Sequence, residues 1–334
     1  MASPIKIFDG RHLAHIARSI HMWKGGKEAE ELRSPDGEYT TLLKGTLNII
    51  GSVNRQFGDG NVIVAYDGKT PSWRYDLNPS YKGGLRPINQ DSPFSQQLDA
   101  IQSHLKEFGI LTVQTASLEG DDIMALLTER AELASKKLIL VSDDRDLLAY
   151  VNPNTYYYSQ KIKTLVAPNT FENYAQKIFK YTKPVGTNGW PLFRALAGDS
   201  SDCIKGVSQC GPVTAAEIVS NLVSLGAELT GYKQDYDQIE PQIEALKPAL
   251  PAKLQAVLSN QGMNELKEAY NLVRVANAPA EEKKAVQELP IIFPSVTIDN
   301  MQAKLQKLGF KQWENDTKWI QRFVSPEETP ELGL

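Results

Sequence analysis

Three short apolar segments in the first half of the chain each run into aspartate, and this feature restricts the fold more than any other. The segments are Ile5–Phe8 before Asp9, Asn61–Tyr66 before Asp67, and Leu138–Val141 shortly before Asp144. Continuous apolar runs rich in β-branched residues are typical of strands buried on both faces, as in a parallel sheet. Ligands bind beyond the carboxyl ends of such strands. A single aspartate there is commonly a turn or capping residue, but three at equivalent positions favour a shared site.

Helical segments separate these strands, so the first half indicates an α/β fold. Pro93–Phe108 follows a suitable N-cap at Ser92, and Glu119–Ala134 has apolar residues at helical spacing. After about residue 184 strand-like segments become rare and helical patterns dominate. We therefore predict an α/β domain over residues 1–185, with a central, mostly parallel sheet flanked by helices. A smaller helical domain is predicted over residues 186–334.

The composition is that of an ordinary soluble globular protein, with 41% hydrophobic and 23% charged residues. The start of the chain lacks a signal-peptide pattern, and no segment approaches the ~20 apolar residues of a membrane span. We therefore expect a cytoplasmic protein in which Cys203 and Cys210 are free thiols. The net charge of −4 counts mildly against a nucleic-acid binder, unless many of the acids bind metal.

Carboxylates are concentrated in a few short clusters in addition to the strand ends. The candidate metal ligands are Asp9, Asp67, Glu119, Asp121, Asp122, Asp144, Asp146, Asp199 and Asp202. Nine carboxylates brought together without cations would destabilise the fold or take up protons. Oxygen-only ligands select hard cations, so we predict two Mg²⁺ ions, for which Mn²⁺ can substitute. Two such ions support in-line phosphodiester hydrolysis.

The ordered set of motifs resembles the flap-endonuclease and 5′→3′ exonuclease family, which includes phage 5′ nucleases and the 5′-nuclease domain of bacterial DNA polymerase I. The matching segments are Ile7–Gly10, Ala65–Gly68, Trp73-Arg74, Pro79–Lys82, Glu119–Asp122, Ser142–Asp146, Gly198–Asp202 and Gly206–Ala215. The resemblance implies a PIN-like nuclease fold and hydrolysis of DNA, and of RNA primers, near 5′ ends. It places Asp67, Glu119, Asp121 and Asp144 at the centre of metal binding. Asp143, where the family often has a small residue, is left out of the predicted site.

Residues 69–86 interleave basic and aromatic side chains, which suits single-stranded nucleic acid. A solvated loop with buried aromatics explains the same composition. The family has an arch over the active site here, so the resemblance implies an arch at about residues 68–93. It also implies DNA contacts by Arg74, Tyr81, Lys82 and Arg86. Together with Asp67 and Asp144, Lys82 would be catalytic by stabilising phosphate charge in the transition state.

Gly206–Ala215 resembles the helix-turn-helix variant with which the family grips duplex DNA, within an element at about residues 198–224. Backbone N–H groups at a helix N-terminus suit an anion. The resemblance implies duplex contacts by Gly206 and Gly211 and a bound K⁺ ion. Lys205, directly before this motif, is a further candidate for a duplex contact. A plain joint between two helices is the alternative. Gln209, Cys210 and Val213 depart from the residues usual in the family.

Three alternatives to a 5′ nuclease are weaker. A toxin-like ribonuclease of the same broad fold would be much shorter. A phosphatase with Asp9 as nucleophile would need an aspartate at position 11, which is arginine. A non-catalytic DNA-junction-binding protein would be expected to have lost carboxylates, and all nine are present. The primary hypothesis is a monomeric enzyme of phage DNA replication that acts on 5′ ends, flaps, nicks or primer junctions, with replication proteins as candidate partners.

Overall fold

The computed structural model describes residues 3–24, 27–28, 30–85 and 92–324. The strands are β1 (Ile5–Asp9), β2 (Trp23–Lys24), β3 (Lys27–Glu28), β4 (Val62–Tyr66), β5 (Leu111–Gln114), β6 (Leu138–Val141), β7 (Thr155–Ser159) and β8 (Thr164–Val166). The first helices are α1 (Gly10–Met22), α2 (Thr41–Phe57), α3 (Arg74–Leu77), α4 (Pro93–Lys106), α5 (Gly120–Thr128), α6 (Ala131–Ala134), α7 (Pro168–Phe179) and α8 (Gly186–Ala197). They are followed by α9 (Pro212–Ser224), α10 (Tyr236–Leu246), α11 (Ala252–Val257), α12 (Asn260–Val273), α13 (Ala280–Glu288), α14 (Ile298–Lys307) and α15 (Thr317–Gln321).

The main sheet has six strands in the order β5-β4-β1-β6-β7-β8, and β2 and β3 form a separate hairpin. All pairs in the main sheet are parallel except β7 with β8. The three strands predicted from sequence are adjacent at its centre, and β4 and β6 are buried throughout. Asp9 pairs with Ala65, and Phe8 with Val141. The carboxyl ends of the central strands therefore lie side by side, which confirms the predicted fold class.

Each face of the sheet is covered by its own hydrophobic cluster. Alternate residues of a strand point to opposite faces, so Ile5 and Ile7 lie in one cluster and Phe8 in the other. The first cluster includes residues of α5, α8, α9, α10 and α12. The second includes residues of α1, α2, α4, α14 and α15. The sheet is thus the middle layer of three.

The predicted division at residues 185 and 186 differs from the packing. Trp190 and Leu266 share the first cluster with Ile7, so the helical region is built onto the sheet. Residues of α14 and α15, such as Met301 and Trp319, belong to the second cluster. The last helices therefore pack on the sheet of the predicted α/β domain, and the domain bounds themselves stay a prediction. Their apolar faces are short, which explains why the sequence pattern gave no indication of this contact.

One predicted helix is interrupted. The segment predicted as Glu119–Ala134 forms α5 and α6, because Arg130 adopts an extended conformation between them. Buried Arg130 donates a hydrogen bond to the carbonyl oxygen of Val286 at 2.8 Å. The N-cap predicted for α4 is confirmed, since the hydroxyl of Ser92 accepts from the Ser95 N–H at 3.2 Å.

Two simpler expectations concern the thiols and the membrane. Cys203 is an exposed free thiol and Cys210 is a buried one. Among the described residues, none of the helices has the length and apolar content needed to span a bilayer.

Candidate metal centre

The carboxyl edge of the sheet brings the predicted carboxylates together from several segments. Asp9 ends β1, Asp67 directly follows β4, and Asp144 follows β6. Glu119 is the N-cap of α5, whose first turn contains Asp121 and Asp122. Asp146 begins a short 3-10 helix, and Asp199 and Asp202 lie in the loop between α8 and α9.

A backbone hydrogen bond joins two of these segments. The Gly120 N–H donates to Asp67 Oδ1 at 2.8 Å. A Cβ at position 120 would lie 3.0 Å from the carbonyl oxygen of Ala65. Glycine therefore lets α5 begin close against the end of β4, and this approach fixes Asp67 relative to Glu119.

Glu119, Asp121 and Asp122 each offer an oxygen atom within 4.8 Å of the others, which is suitable spacing for a metal ion. Burial, together with repulsion from Asp122 and Glu119, raises the pKa of Asp121 well above its ordinary value. Burial and the neighbouring Asp67 raise the pKa of Asp9 to about 6. The site therefore holds more negative charge than its own cations balance.

The same imbalance is present on the β6 side. Burial and the charge of Asp146 raise the pKa of Asp144 to about 7. Burial also raises the pKa of Asp202, although Lys82 opposes the shift. Raised pKa values at buried carboxylates show that the charged forms lack compensation, and a divalent cation would supply it.

Two buried arginines form ion pairs with four of the nine carboxylates. Arg74 is bidentate to Asp122, with distances of 2.8 and 2.7 Å, and donates to Glu119 at 2.8 Å. Arg194 donates to Asp146 at 2.6 Å and also to Asp199. Such charge-assisted pairs are strong when the partners are buried and fixed. Each of these four carboxylates therefore has a cationic partner within the chain.

The remaining carboxylates are more available to a metal ion. Exposed Arg11 lies 3.3 Å from Asp67. Within the described part of the chain, no salt bridge is formed by Asp9, Asp121, Asp144 or Asp202. These four are also carboxylates whose pKa is raised. A hard divalent cation with oxygen ligands fits this set.

Two residues predicted to contact DNA have other partners in the structure. Arg74 is 4% exposed, and its Nε also donates to the carbonyl oxygen of Leu272 at 2.8 Å. Tyr81 is 1% exposed, and its hydroxyl donates to Glu119 Oε2 at 2.9 Å. Because buried groups cannot meet a DNA strand at the surface, we reassign both to the support of Glu119. Arg86, the last predicted contact of this segment, lies outside the described residues.

Lys82 has the placement expected of a residue that meets substrate. Its side chain is 39% exposed and its ammonium group donates to Glu119 Oε1. Its backbone N–H donates to the carbonyl oxygen of Asp202 at 2.9 Å. Burial opposes protonation, but Glu119 and Asp121 hold the pKa of Lys82 above its ordinary value. Lys82 therefore carries a positive charge at the edge of the carboxylate cluster.

The loop between α8 and α9 differs in detail from its prediction. Gly206 packs against backbone, because an added Cβ would lie 2.5 Å from the nitrogen of Gly198. Lys205 is exposed, and exposed Gly211 is the N-cap of α9. The N–H and hydroxyl of Ser208 donate to the Glu265 carboxylate at 2.7 and 2.9 Å. Lys205 and Gly211 thus remain accessible, whereas Gly206 serves close packing.

Sequence reasoning missed Arg194 and the partner of Asp143. A single arginine in the otherwise apolar end of α8, five residues before Asp199, is the signal that would have indicated a buried ion pair. Asp143 Oδ2 lies 2.9 Å from His12 Nε2, and Asp143 also accepts a hydrogen bond from the Ser159 hydroxyl. Asp143 therefore has a structural partner beside the cluster, consistent with its exclusion from the predicted site.

Comparison with known proteins identifies the family. Residues 4–176 match the family described as the 5′-3′ exonuclease, N-terminal resolvase-like domain. The chain belongs to this family. It is 26% identical over 327 residues to the thermostable DNA polymerase I of Thermus aquaticus, covering 98% of this chain and 34% of that protein. This 5′→3′ exonuclease family member thus spans about a third of the length of the polymerase.

A second relative and two solved structures have comparable length. The chain is 24% identical over 316 residues to the 5′-3′ exonuclease of Buchnera aphidicola subsp. Schizaphis graminum, covering 95% and 96% of the two chains. A bacteriophage T5 flap endonuclease, solved with DNA and metal ions, has a TM-score of 0.57 at 16% identity over 95% of this chain and 98% of that one. The catalytic core of Rad2 with DNA substrate has a TM-score of 0.53 at 12% identity, covering 97% and 93%. These structures share the fold of this exonuclease family member.

Proposed function

We propose that this protein is a metal-dependent 5′ nuclease that hydrolyses phosphodiester bonds of DNA, and of RNA primers, near free 5′ ends. One observation carries the proposal. Asp9, Asp121, Asp144 and Asp202 come from four segments to one sheet edge, are half-buried, and form no salt bridge among the described residues. Burying uncompensated carboxylates has a large cost, which a site for hard divalent cations explains.

Two Mg²⁺ ions bound there, or Mn²⁺ in their place, would activate water and neutralise charge on the leaving oxygen. The four uncompensated carboxylates would hold them, together with Asp67, which the Gly120 N–H orients. Glu119 would bind metal from the face not occupied by Arg74. We assign catalytic roles to Asp67, Asp144 and Lys82. A substrate phosphate would draw the ammonium group of Lys82 from Glu119 and leave that carboxylate to a metal.

Asp122, Asp146 and Asp199 would act mainly without a direct bond to metal. Each is bonded to a buried arginine, so a direct metal bond would have to compete with an existing ion pair. We propose that these three orient Arg74 and Arg194 and contact the ions through water, as Mg²⁺ retains several waters.

Duplex contacts are assigned to the loop between α8 and α9. Exposed Lys205 would meet a phosphate, and the N-terminus of α9 at Gly211 presents backbone N–H groups to an anion. A K⁺ ion at this loop belongs to the same proposal. The polymerase relatives support a place in DNA replication. We extend the proposal to a cytoplasmic monomer, encoded by a phage, that acts on flaps, nicks and primer junctions alongside other replication proteins.

Cleavage of 5′-labelled flap and nicked duplexes, with Mg²⁺ or EDTA, tests the activity. The Asp144→Asn variant removes one uncompensated carboxylate, and Asp143→Asn is its matched control at the next position. We expect Mg²⁺-dependent products from the wild type and the control, and DNA binding without turnover from Asp144→Asn. Product lengths separate endonucleolytic from stepwise cutting. If the wild type binds the junction but never cuts with Mg²⁺ or Mn²⁺, the protein is instead a non-catalytic junction binder.

A further inference from the structure

Helix α13 contacts the loop that precedes Glu119, although more than 160 residues separate them in sequence. Glu282, in the first turn of α13, accepts three hydrogen bonds from this loop. Its Oε2 accepts from the Ala116 N–H at 3.2 Å, and its Oε1 from the Ser117 N–H at 3.1 Å and the Ser117 hydroxyl at 3.3 Å. One carboxylate thus satisfies two successive backbone donors.

The same loop is bonded to the segment that follows Asp67. The carbonyl oxygen of Leu118 accepts from the Gly68 N–H at 2.7 Å. The carbonyl oxygen of Ala116 accepts from the N–H and hydroxyl of Thr70 at 3.0 and 2.7 Å. A Cβ at position 68 would lie 2.1 Å from that carbonyl oxygen. The two loops are therefore in close backbone contact, and a shift of one moves the other.

These bonds connect Glu282 to both sides of the metal centre. Residues 115–118 lead directly into Glu119, and the Gly120 N–H holds Asp67 Oδ1. A displacement of a few tenths of an ångström in this loop would change the separation of two predicted ligands. Metal affinity depends on such outer partners because they fix the orientation of the ligands.

Helix α13 is itself firmly placed against α5. Arg130 donates to the carbonyl oxygen of Val286 at 2.8 Å, and the Gln287 amide donates to that of Leu126 at 3.4 Å. Val286 is fully buried in the cluster that contains Ile123 and Leu127 of α5. Glu282 therefore approaches the loop from an element whose position does not depend on Glu282.

Loss of the Glu282 carboxylate would loosen the loop without unfolding it. Ala116 is exposed and Ser117 half-buried, so water can replace the lost acceptor. A replacement by water satisfies the two N–H groups but removes the fixed distance between α13 and the loop. The expected consequence is a change in the metal site that is larger than the change in stability.

We propose that Glu282 is a positioning residue of the metal centre, which holds the loop at residues 115–118 so that Glu119 and Asp67 keep their spacing. The inference rests on the proposed metal-dependent function. It assigns a role to the region after about residue 225, in which the sequence contains no recognisable motif. Glu282 would contact neither metal nor DNA.

Binding of Mn²⁺ to the full chain without DNA, followed by electron paramagnetic resonance, tests this role independently of cleavage. The variants are Glu282→Ala and Glu282→Gln. Glu281→Gln is the matched control, because it removes a negative charge from the same first turn of α13. Exposed Glu281 interacts with the positive end of the helix dipole as Glu282 does. Thermal unfolding of each variant in EDTA shows how much of any change reflects stability.

We expect Mn²⁺ affinity to fall about tenfold in Glu282→Ala, in line with losses at outer partners of metal ligands. Glu282→Gln retains one carbonyl acceptor and should recover part of that loss. Glu281→Gln should bind Mn²⁺ as the wild type does, and DNA affinity in EDTA should be the same in all four proteins.

The contrary outcomes are distinct. Wild-type affinity in Glu282→Ala, or equal losses in Glu281→Gln and Glu282→Gln, would overturn the positioning role and leave the proposed function intact. A wild-type protein that binds no Mn²⁺ would overturn both.

Discussion

At the scale of single residues, the role of each carboxylate depends on the cation that it faces. Arg74 and Arg194 form ion pairs with four carboxylates, and four others form no salt bridge within the described residues. The family resemblance places Asp67, Glu119, Asp121 and Asp144 at the centre of metal binding. The sequence does not indicate which carboxylates are held by arginine, because the pairing depends on side chains that come from α3 and α8. We therefore propose that the four carboxylates without a salt bridge are the principal metal ligands.

Replacing Arg74 tests this division. Arg74→Ala leaves buried Asp122 without its cationic partner and leaves Glu119 paired with Lys82 alone. Breaking a buried pair in this way typically costs about 3–5 kcal/mol. We expect urea denaturation in EDTA to show a loss of that order. Arg11→Ala, at an exposed ion pair, should change stability little. Unchanged stability with weaker DNA binding in Arg74→Ala would instead return Arg74 to the role of a DNA contact.

Lys82 is expected to act in catalysis more than in binding. Its ammonium group lies at the edge of the carboxylate cluster, where phosphate charge would develop, and removal of one such donor typically costs about 10²–10³ in rate. Lys82→Ala should therefore show a single-turnover rate lower by that factor with a nearly unchanged Kd for DNA. Lys69→Ala, exposed in the same segment, should keep the rate. A variant with normal rate and weakened Kd would make Lys82 a binding residue only.

At the scale of elements, the strands that are buried on both faces are the ones that the sequence predicts. The central strands β1, β4 and β6 were predicted because they are apolar on both faces. Edge strand β5 was not, since three of its four residues are only half-buried and its pattern is mixed. Strand β7, which pairs with β6, was not predicted either, because its sequence TYYYS is polar and aromatic. The break between α5 and α6 depends on the hydrogen bond between Arg130 and the carbonyl oxygen of Val286. A contact so distant in sequence cannot be predicted from the spacing of apolar residues.

The loop between α8 and α9 is the element to which duplex binding is assigned. Lys205 is exposed there, and a phosphate contact by one lysine contributes to affinity through release of counterions. Lys205→Ala should weaken duplex binding for every sequence tested and reduce the slope of log K against log salt by about 1. Lys307→Ala, exposed on α14, serves as the control. An unchanged slope in Lys205→Ala would place the duplex elsewhere.

At the scale of the whole molecule, the C-terminal half completes the N-terminal one. Helices α14 and α15 cover one face of the sheet, while α12 and α13 form hydrogen bonds with Arg74 and Ser117 on the other side. Their contacts join residues far apart in sequence, so they could not be predicted from local patterns. The α/β architecture and the position of the site were predictable, because strand ends alone place them.

Stability of the whole fold should depend on pH and metal together. Asp9 and Asp144, with pKa values raised to about 6 and about 7, bind protons more tightly in the folded than in the unfolded state. Without divalent cations, their contribution to stability is therefore present at low pH and is lost as pH rises from about 4 to about 7. Mg²⁺ replaces the lost protons, so it should raise Tm by more at pH 8 than at pH 5.5.

Thermal unfolding in Mg²⁺ or EDTA at the two pH values measures this effect. The expected rise at pH 8 is a few degrees, since saturation a hundredfold above Kd contributes about 2.7 kcal/mol. The Asp144→Asn variant should show a smaller rise and a weaker dependence on pH. Equal shifts of Tm at pH 5.5 and pH 8 would contradict the assignment of the raised pKa values to the metal ligands.

We expect divalent metal to bind at the four carboxylates that form no salt bridge among the described residues. An anomalous-scattering map from crystals of the protein soaked in Mn²⁺ tests it most directly. We expect two peaks at the carboxyl edge of the sheet, with oxygens of Asp9, Asp121, Asp144 or Asp202 at about 2.1 Å. The ion pairs of Arg74 and Arg194 should remain intact. Peaks away from this edge, or an edge without any peak at saturating Mn²⁺, would contradict it.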